Sequence, residues 1–143
     1  YYKDPEATAE VIRDGYVYSG DLGVLDEEGF ITLVDRKKDM IITGGENVYS
    51  KEVEDAIYEN PKVQEACIIG LPHPDWGETV MAVVALRPDQ QLDIKELREF
   101  LKSRIADYKI PRLLEIVPAL PRNVAGKVLK YKLREELKDR VKK

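Results

Sequence analysis

The chain has 143 residues, 35% of them charged, and a formal net charge of only -4 with both signs interspersed, so no basic face marks it for nucleic acid. Its single cysteine, Cys67, lies inside the apolar run Ala66-Cys67-Ile68-Ile69, which excludes an internal disulfide and any multi-cysteine metal site and points to a reducing, cytoplasmic setting. No apolar stretch approaches the roughly 18 residues of a transmembrane segment, and with Tyr1 rather than Met at its start the sequence is expected to be a fragment.

Asp4-Pro5-Glu6 has the composition of a helix start, with Asp4 as cap and Pro5 at the first helical position. Gly15 is expected to end that short helix. Residues 16–25 and 30–34 read as strands around the turn Asp26-Glu27-Glu28-Gly29, which predicts a hairpin. A dense run of charge follows, Asp35-Arg36-Lys37-Lys38-Asp39, and leads at once into Met40-Ile41-Ile42-Thr43 and the diglycine Gly44-Gly45. The charges favour solvent and the apolar run favours a core, so the backbone is expected to pass from one to the other here. Two adjacent glycines permit positive φ and close approach of another group.

Val53, Ala56 and Ile57 lie at helical spacing, which predicts an amphipathic helix over residues 50–58 with Ser50 as N-cap and a stop near Asn60-Pro61. Residues 63–71 and 79–86 are apolar and β-branched and read as buried strands joined by a loop over residues 72–78. Asp93 and Glu96 have capping-box spacing, and Leu97, Leu101 and Ile105 continue an apolar stripe. Residues 113–117 are a further strand candidate. A charged helix over residues 130–141 sets Leu133, Leu137 and Val141 on one face. Strands and helices alternate after residue 35, whereas the first 35 residues are mainly hairpin, so a boundary is expected near Asp35.

Three motifs stand in order: Ser19-Gly20-Asp21; the stretch from Asp35 through Gly44-Gly45-Glu46-Asn47; and Leu120-Pro121-Arg122-Asn123-Val124-Ala125-Gly126-Lys127. Together they resemble the adenylate-forming family that includes acyl-CoA synthetases, and the likeness runs the length of the chain while covering only the C-terminal quarter of such an enzyme. The fold class this implies is α+β: a mobile lid domain over residues 36–143, a small mixed sheet flanked by helices, preceded over residues 1–35 by a β-hairpin from the end of a large N-terminal adenylation domain. That large domain, with its acyl pocket and phosphate loop, is the implied partner and is not in this sequence. The implied reaction joins a carboxylic acid to CoA with ATP, its Mg2+ carried by the nucleotide, and leaves AMP and pyrophosphate. The wording around Gly44-Gly45 is most similar to fatty-acid or aryl-acid CoA ligases, and these residues alone are expected to be inactive. A peptide-synthetase adenylation domain and a stand-alone nucleotide- or CoA-binding module are the alternatives.

The resemblance also assigns residues. Asp21 takes the place of a carboxylate that accepts hydrogen bonds from the ribose hydroxyls of ATP, a task suited to a group offering only acceptors. Arg36 reaches the same nucleotide with its rigid donor fork. Lys38 stands at the hinge, where other members often carry aspartate. Lys127 is the implied catalytic group, also touching the nucleotide, where its ammonium offsets repulsion between the acyl carboxylate and the α-phosphate. Pro118 and Pro121 stiffen its loop, and Gly126 is expected to loosen the backbone just before it. On the thiol side, Gly44 and Gly45 line the channel for CoA, Trp76 and Tyr108 surround its adenine or else cover a core edge, and Lys109 and Arg112 neutralise its phosphates. Ile110 departs from the pattern, since some CoA ligases have arginine there. His73, between two prolines, is assigned no catalytic role, and no metal site is expected.

Overall fold

The computed structural model describes residues 1–141, and these divide after Lys38 into two compact units. In the first unit, helix α1 (Pro5–Val11) begins as its sequence dictates: the Asp4 carboxylate accepts the Ala7 N–H at 2.9 Å and Pro5 occupies the first turn. Gly15 does not terminate this helix. It forms, with Asp14, the two-residue turn between β1 (Ile12–Arg13) and β2 (Tyr16–Val17), and both turn residues have positive φ, 51° and 79°. An Asp-Gly pair with that geometry matches the twist of a hairpin, which explains why the helix yields to strand.

The run over residues 16–25 is likewise not one strand. It breaks at Gly20, whose φ is 75°, and resumes as β3 (Asp21–Leu25), paired antiparallel with β4 (Ile31–Arg36). The Asp26 carboxylate closes their turn by accepting the Glu28 and Phe30 N–H groups. Nothing in this unit is buried among the large apolar residues of the hairpins: Val24, Leu25, Ile31 and Leu33 are all exposed.

The second unit holds the core. Its five-stranded mixed sheet runs β6 (Glu46–Val48), β5 (Ile41–Thr43), β8 (Gly77–Leu86), β7 (Val63–His73), with β9 (Leu113–Ile116) parallel to β8. Pairing of β7 with β8 extends from Val63↔Leu86 to His73↔Gly77, so the expected seven-residue loop shrinks to Pro74-Asp75-Trp76. Strand β6 was not expected from the sequence, because Glu46-Asn47 carries no strand propensity; its partner β5 and the diglycine turn impose it.

Side chains alternate along β7 and β8 onto two buried faces. Ala66, Ile68, Val80, Ala82 and Val84 pack with Val53 and Ile57 of α2 (Ser50–Tyr58) and with Leu97 and Leu101 of α3 (Ile94–Leu101). Cys67, Ile69, Leu71, Met81 and Val83 pack beneath Leu120 and Leu133, the latter from α4 (Lys130–Leu137). Burial pushes the Cys67 thiol up to about 12, because an apolar surround penalises the thiolate. Asp93 caps α3 by accepting the Glu96 N–H at 2.8 Å. Ser50 does not cap α2: Tyr49 holds the N-cap position, and the buried Ser50 hydroxyl accepts instead from the Lys130 ammonium at 2.7 Å.

Leu97 is fully buried at the centre of one face, so Leu97→Ala is expected to lower the unfolding free energy by about 2–5 kcal/mol. Tyr131→Ala, at an exposed position of α4, is expected to change it by no more than about 0.5 kcal/mol. Urea unfolding followed by circular dichroism measures both.

Candidate functional site

The sequence-predicted residues fall into three groups. The first is in the smaller unit. Asp21 and Arg36 face each other across β3 and β4, with the Arg36 Nε 3.3 Å from the Asp21 carboxylate. Both are solvent-accessible, and such a pair contributes under about 1 kcal/mol, so it orients rather than stabilises. The Ser19 hydroxyl accepts the Asp21 N–H at 3.2 Å, and the Gly20 carbonyl accepts the Lys37 N–H at 2.8 Å. Ser19, Gly20, Arg36, Lys37 and Lys38 line an open depression of about 560 Å³. Three cations on its wall, beside a carboxylate that only accepts, suit a ligand carrying both hydroxyls and negative charge.

The second group surrounds the diglycine. Gly44 and Gly45 have φ of 58° and 87° and form the two-residue turn joining β5 to β6. Gly44 is fixed by space as well as by torsion: a Cβ there would meet the Trp76 ring at 2.9 Å. The Trp76 carbonyl accepts the Gly44 N–H at 2.9 Å, and the Arg112 guanidinium stacks 4.0 Å from the Trp76 ring centroid. Trp76 is therefore packed on one side while still 44% exposed. The single-turn 3₁₀ segment Asp107–Lys109 lies against β6. Within it Tyr108 is part exposed, and the Lys109 ammonium meets both oxygens of Glu52 at 2.7 and 2.8 Å. That hydrogen bond is the main reason the Lys109 ammonium is held above the usual lysine range. The structure thus spends Lys109 on Glu52 and leaves Arg112 on the aromatic face. Ile110 is buried in the larger apolar cluster, which accounts for an apolar residue at this position.

The third group is Lys127 and its loop, in the larger unit. Its loop is closed rather than loose: Arg122 and Val128 form a β-bridge, and the Asn123 side-chain oxygen accepts the Ala125 and Lys127 N–H groups at 3.0 and 2.9 Å. Gly126, at φ 79° with open space around its Cα, is needed for the turn's torsion. This corrects the expectation that Gly126 loosens the backbone. The Arg122 guanidinium ties the loop to the sheet through Glu65 at 2.5 Å and to the Gly126 carbonyl at 2.7 Å. Among the described residues the Lys127 ammonium has no hydrogen-bond or ion-pair partner, so the loop presents a free cation on a rigid tip.

Two further ion pairs escaped the reading of the sequence. Lys130 bridges Ser50 and Glu54 on α2, and Arg134 on α4 holds Asp39 at 3.0 Å, immediately after Lys38. The Asn123 turn was legible in principle, since asparagine before a positive-φ glycine signals such a cap. The roles of Glu52, Glu54 and Glu65 were not, because their partners lie 57, 76 and 57 residues away in sequence. Among the described residues no cluster of three or more His, Cys, Asp or Glu is arranged to hold a metal ion, and no helix is long and apolar enough to cross a membrane.

A family model described as the AMP-binding enzyme C-terminal domain matches residues 52–127, more than half of the chain. The long-chain-fatty-acid–CoA ligase of Bacillus subtilis is 47% identical over 136 residues, covering 95% of this chain and 24% of that protein. A feruloyl-CoA synthase from an Amycolatopsis species is 46% identical over 134 residues, covering 94% of this chain and 27% of its own length. Among solved structures, ATP-bound MatB from Rhodopseudomonas palustris superposes with a TM-score of 0.91 at 43% identity, over 99% of this chain and 28% of that one. The chain spans about a quarter of the length of the relatives it matches.

Arg122 is also the main reason the Glu65 carboxyl is held below the usual carboxylate range. A carboxyl lowered in the folded state adds stability that is present above its unfolded value and is lost as pH falls through the folded value. Wild-type protein is therefore expected to exceed Glu65→Gln in urea midpoint at neutral pH, with the gap closing as the pH falls below the ordinary carboxylate value of 4.5. Urea titrations at stepped pH check this, and a constant gap would contradict it.

Proposed function

We propose, for a chain that belongs to the AMP-binding enzyme C-terminal domain family, that it is the C-terminal part of an ATP-dependent, AMP-forming acyl-CoA synthetase acting on a fatty or aryl acid. The observation that carries this reading is the unpaired Lys127 ammonium on a hydrogen-bonded tip, at the position the resemblance assigns to the adenylation lysine. Support for the acid class comes from the names of two relatives, a fatty-acid ligase and a feruloyl-CoA synthase.

In the first half-reaction a substrate carboxylate oxygen attacks the α-phosphorus of ATP, and the bond to pyrophosphate breaks. Two anions must approach, and a cation about 4 Å away in a medium of effective dielectric near 20 favours that approach by roughly 4 kcal/mol, about three decades of rate. Lys127 supplies that cation. Asp21 accepts from the ribose hydroxyls and Arg36 meets the nucleotide oxygens, both presented at the rim of the cation-lined depression. Mg2+ arrives with the nucleotide.

In the second half-reaction the CoA thiolate attacks the acyl carbon and AMP leaves with the bonding electrons. The Gly44-Gly45 turn gives a thin thiol arm room to pass, while Trp76, Tyr108 and Arg112 meet the adenine and phosphates of CoA. Lys109 takes a lesser part than its sequence position suggests, because Glu52 already neutralises it. Lys38 serves as the pivot between the two half-reactions; Arg134 pins Asp39, so torsional change is confined to the residues before it. The exposed apolar side chains of β3 and β4 pack against the remainder of the large domain.

In the complete protein, Lys127→Ala is expected to reduce acid-dependent ATP/pyrophosphate exchange by about a hundredfold or more while leaving thioester formation from supplied acyl-adenylate within about threefold of wild type. Equal loss of both half-reactions would refute the assignment.

A further inference from the structure

Strand β5 is attached to the sheet in an unusual way. Its register with β8 places Thr43 opposite Gly77, so the rung on one side joins Gly44 to Trp76 and the rung on the other falls between Ile42 and Glu78. The first of these is made, with the Gly44 N–H on the Trp76 carbonyl. At the second, the Ile42 N–H donates at 2.9 Å to the side-chain carboxylate of Glu78. A carboxylate thus takes the Ile42 donor at this end of the short pairing.

The neighbouring strand β7 accommodates that carboxylate. Gly70 on β7 sits beneath the carboxylate, and a Cβ there would meet a Glu78 oxygen at 2.5 Å, the Glu78 carboxyl carbon at 2.9 Å and an Ile41 methyl at 3.0 Å. Gly70 does not have positive φ, so space, and not torsion, is what calls for glycine. The carboxylate, its glycine seat and the Ile42 N–H form one unit that sets the distance and tilt of β5 against β8, and β5 leads directly into Gly44-Gly45. Trp76, two residues before Glu78, is positioned by the same turn and covers Gly44.

We propose that Glu78 is a positioning residue for the thiol half-reaction: by holding Ile42 it fixes the Gly44-Gly45 turn and the Trp76 face in the arrangement that admits CoA. The proposal rests on the reading of the protein as an acyl-CoA synthetase. Its chemistry is that of a charge-assisted hydrogen bond to a strand whose register with β8 is the single pair Thr43 and Gly77. With the carboxylate removed, the turn retains its torsions but no longer its placement, and the cost falls on binding and thioester formation, not on adenylation, which uses Lys127, Asp21 and Arg36.

The experiment uses the complete protein, comparing wild type, Glu78→Ala, Glu78→Gln and Gly70→Ala in three measurements: ATP/pyrophosphate exchange, CoA dependence of thioester formation from supplied acyl-adenylate, and hydrogen–deuterium exchange of the peptide containing Ile42. For Glu78→Ala the expected result is an approximately tenfold rise in KM for CoA, exchange activity within about twofold of wild type, and faster deuterium uptake at Ile42. Glu78→Gln keeps an acceptor oxygen and is expected to recover most of the loss, whereas Gly70→Ala, which displaces the carboxylate without removing it, should follow Glu78→Ala. An unchanged KM for CoA in Glu78→Ala, or an equal fall in both half-reactions, would overturn the positioning role while leaving the synthetase reading intact. Wild-type protein that carries out neither half-reaction would overturn that reading, and this inference with it.

Discussion

The larger unit depends on one constraint: β7 and β8 must be buried on both faces at once. Along Ala66-Cys67-Ile68-Ile69 and Val80-Met81-Ala82-Val83-Val84 there is no polar alternation to leave a side for water, and neighbouring residues point into different clusters. An antiparallel pair usually solvates one face; this one cannot. Helices α2 and α3 therefore cover one side, while α4 and the segment around Leu120 cover the other. Most of the other placements follow, because the candidate site loops of the unit adjoin either the covered strands or the elements that cover them. The diglycine turn precedes α2, Trp76 lies in the turn of the β7–β8 hairpin, and the Lys127 loop joins Leu120 to α4.

A second problem is that some backbone donors of the sheet and its connections need side-chain acceptors. Three glutamates solve it in the same manner. Glu54 accepts the Ile68 N–H at 2.9 Å, Glu65 the Leu120 N–H at 3.3 Å and Glu78 the Ile42 N–H at 2.9 Å. Two of them also bind a cation, Lys130 for Glu54 and Arg122 for Glu65. A carboxylate has several acceptor positions, so one side chain can satisfy a stray N–H and hold a neighbouring element in place. Each of these glutamates thus links the sheet to a segment carrying a functional residue: α4, the Lys127 loop and the diglycine turn.

What could be read from the sequence divides along the range of the interactions. Asp4, Asp93 and the turn at Asp26 act on backbone within four residues, and the structure uses them as their local chemistry requires. The two-faced apolar runs were legible as buried strands for the same reason. Ser50 was misread because a partly buried lysine 80 residues away offers its hydroxyl a stronger partner than a helix end does. Gly15 was misread because helix stop and hairpin turn both call for glycine in the left-handed region, and Asp14 tips the choice only once a strand is available to pair. At the candidate site, the motif positions were visible as residue types, yet Lys109 shows the limit: its charge is obvious in sequence, and its neutralisation by Glu52 is not.

The loop bearing Lys127 shows why that limit matters for mechanism. A glycine before a lysine suggests a mobile arm that searches for its target, but the hydrogen bonds of Asn123, the bridge from Arg122 to Val128 and the anchor on Glu65 leave the backbone little to search with. Freedom resides instead in the side chain, whose four methylenes are flexible, and in whatever carries the loop as a whole. A rigid tip costs little further ordering when it meets a substrate, and that is the condition under which a single cation acts most strongly. If the charge must be present in one half-reaction and absent in the next, a stiff loop cannot withdraw by itself. Movement then has to come from a pivot outside the rigid body, and the charged segment ending at Lys38, just before the Asp39–Arg134 pair, is where the chain passes from one compact unit to the other.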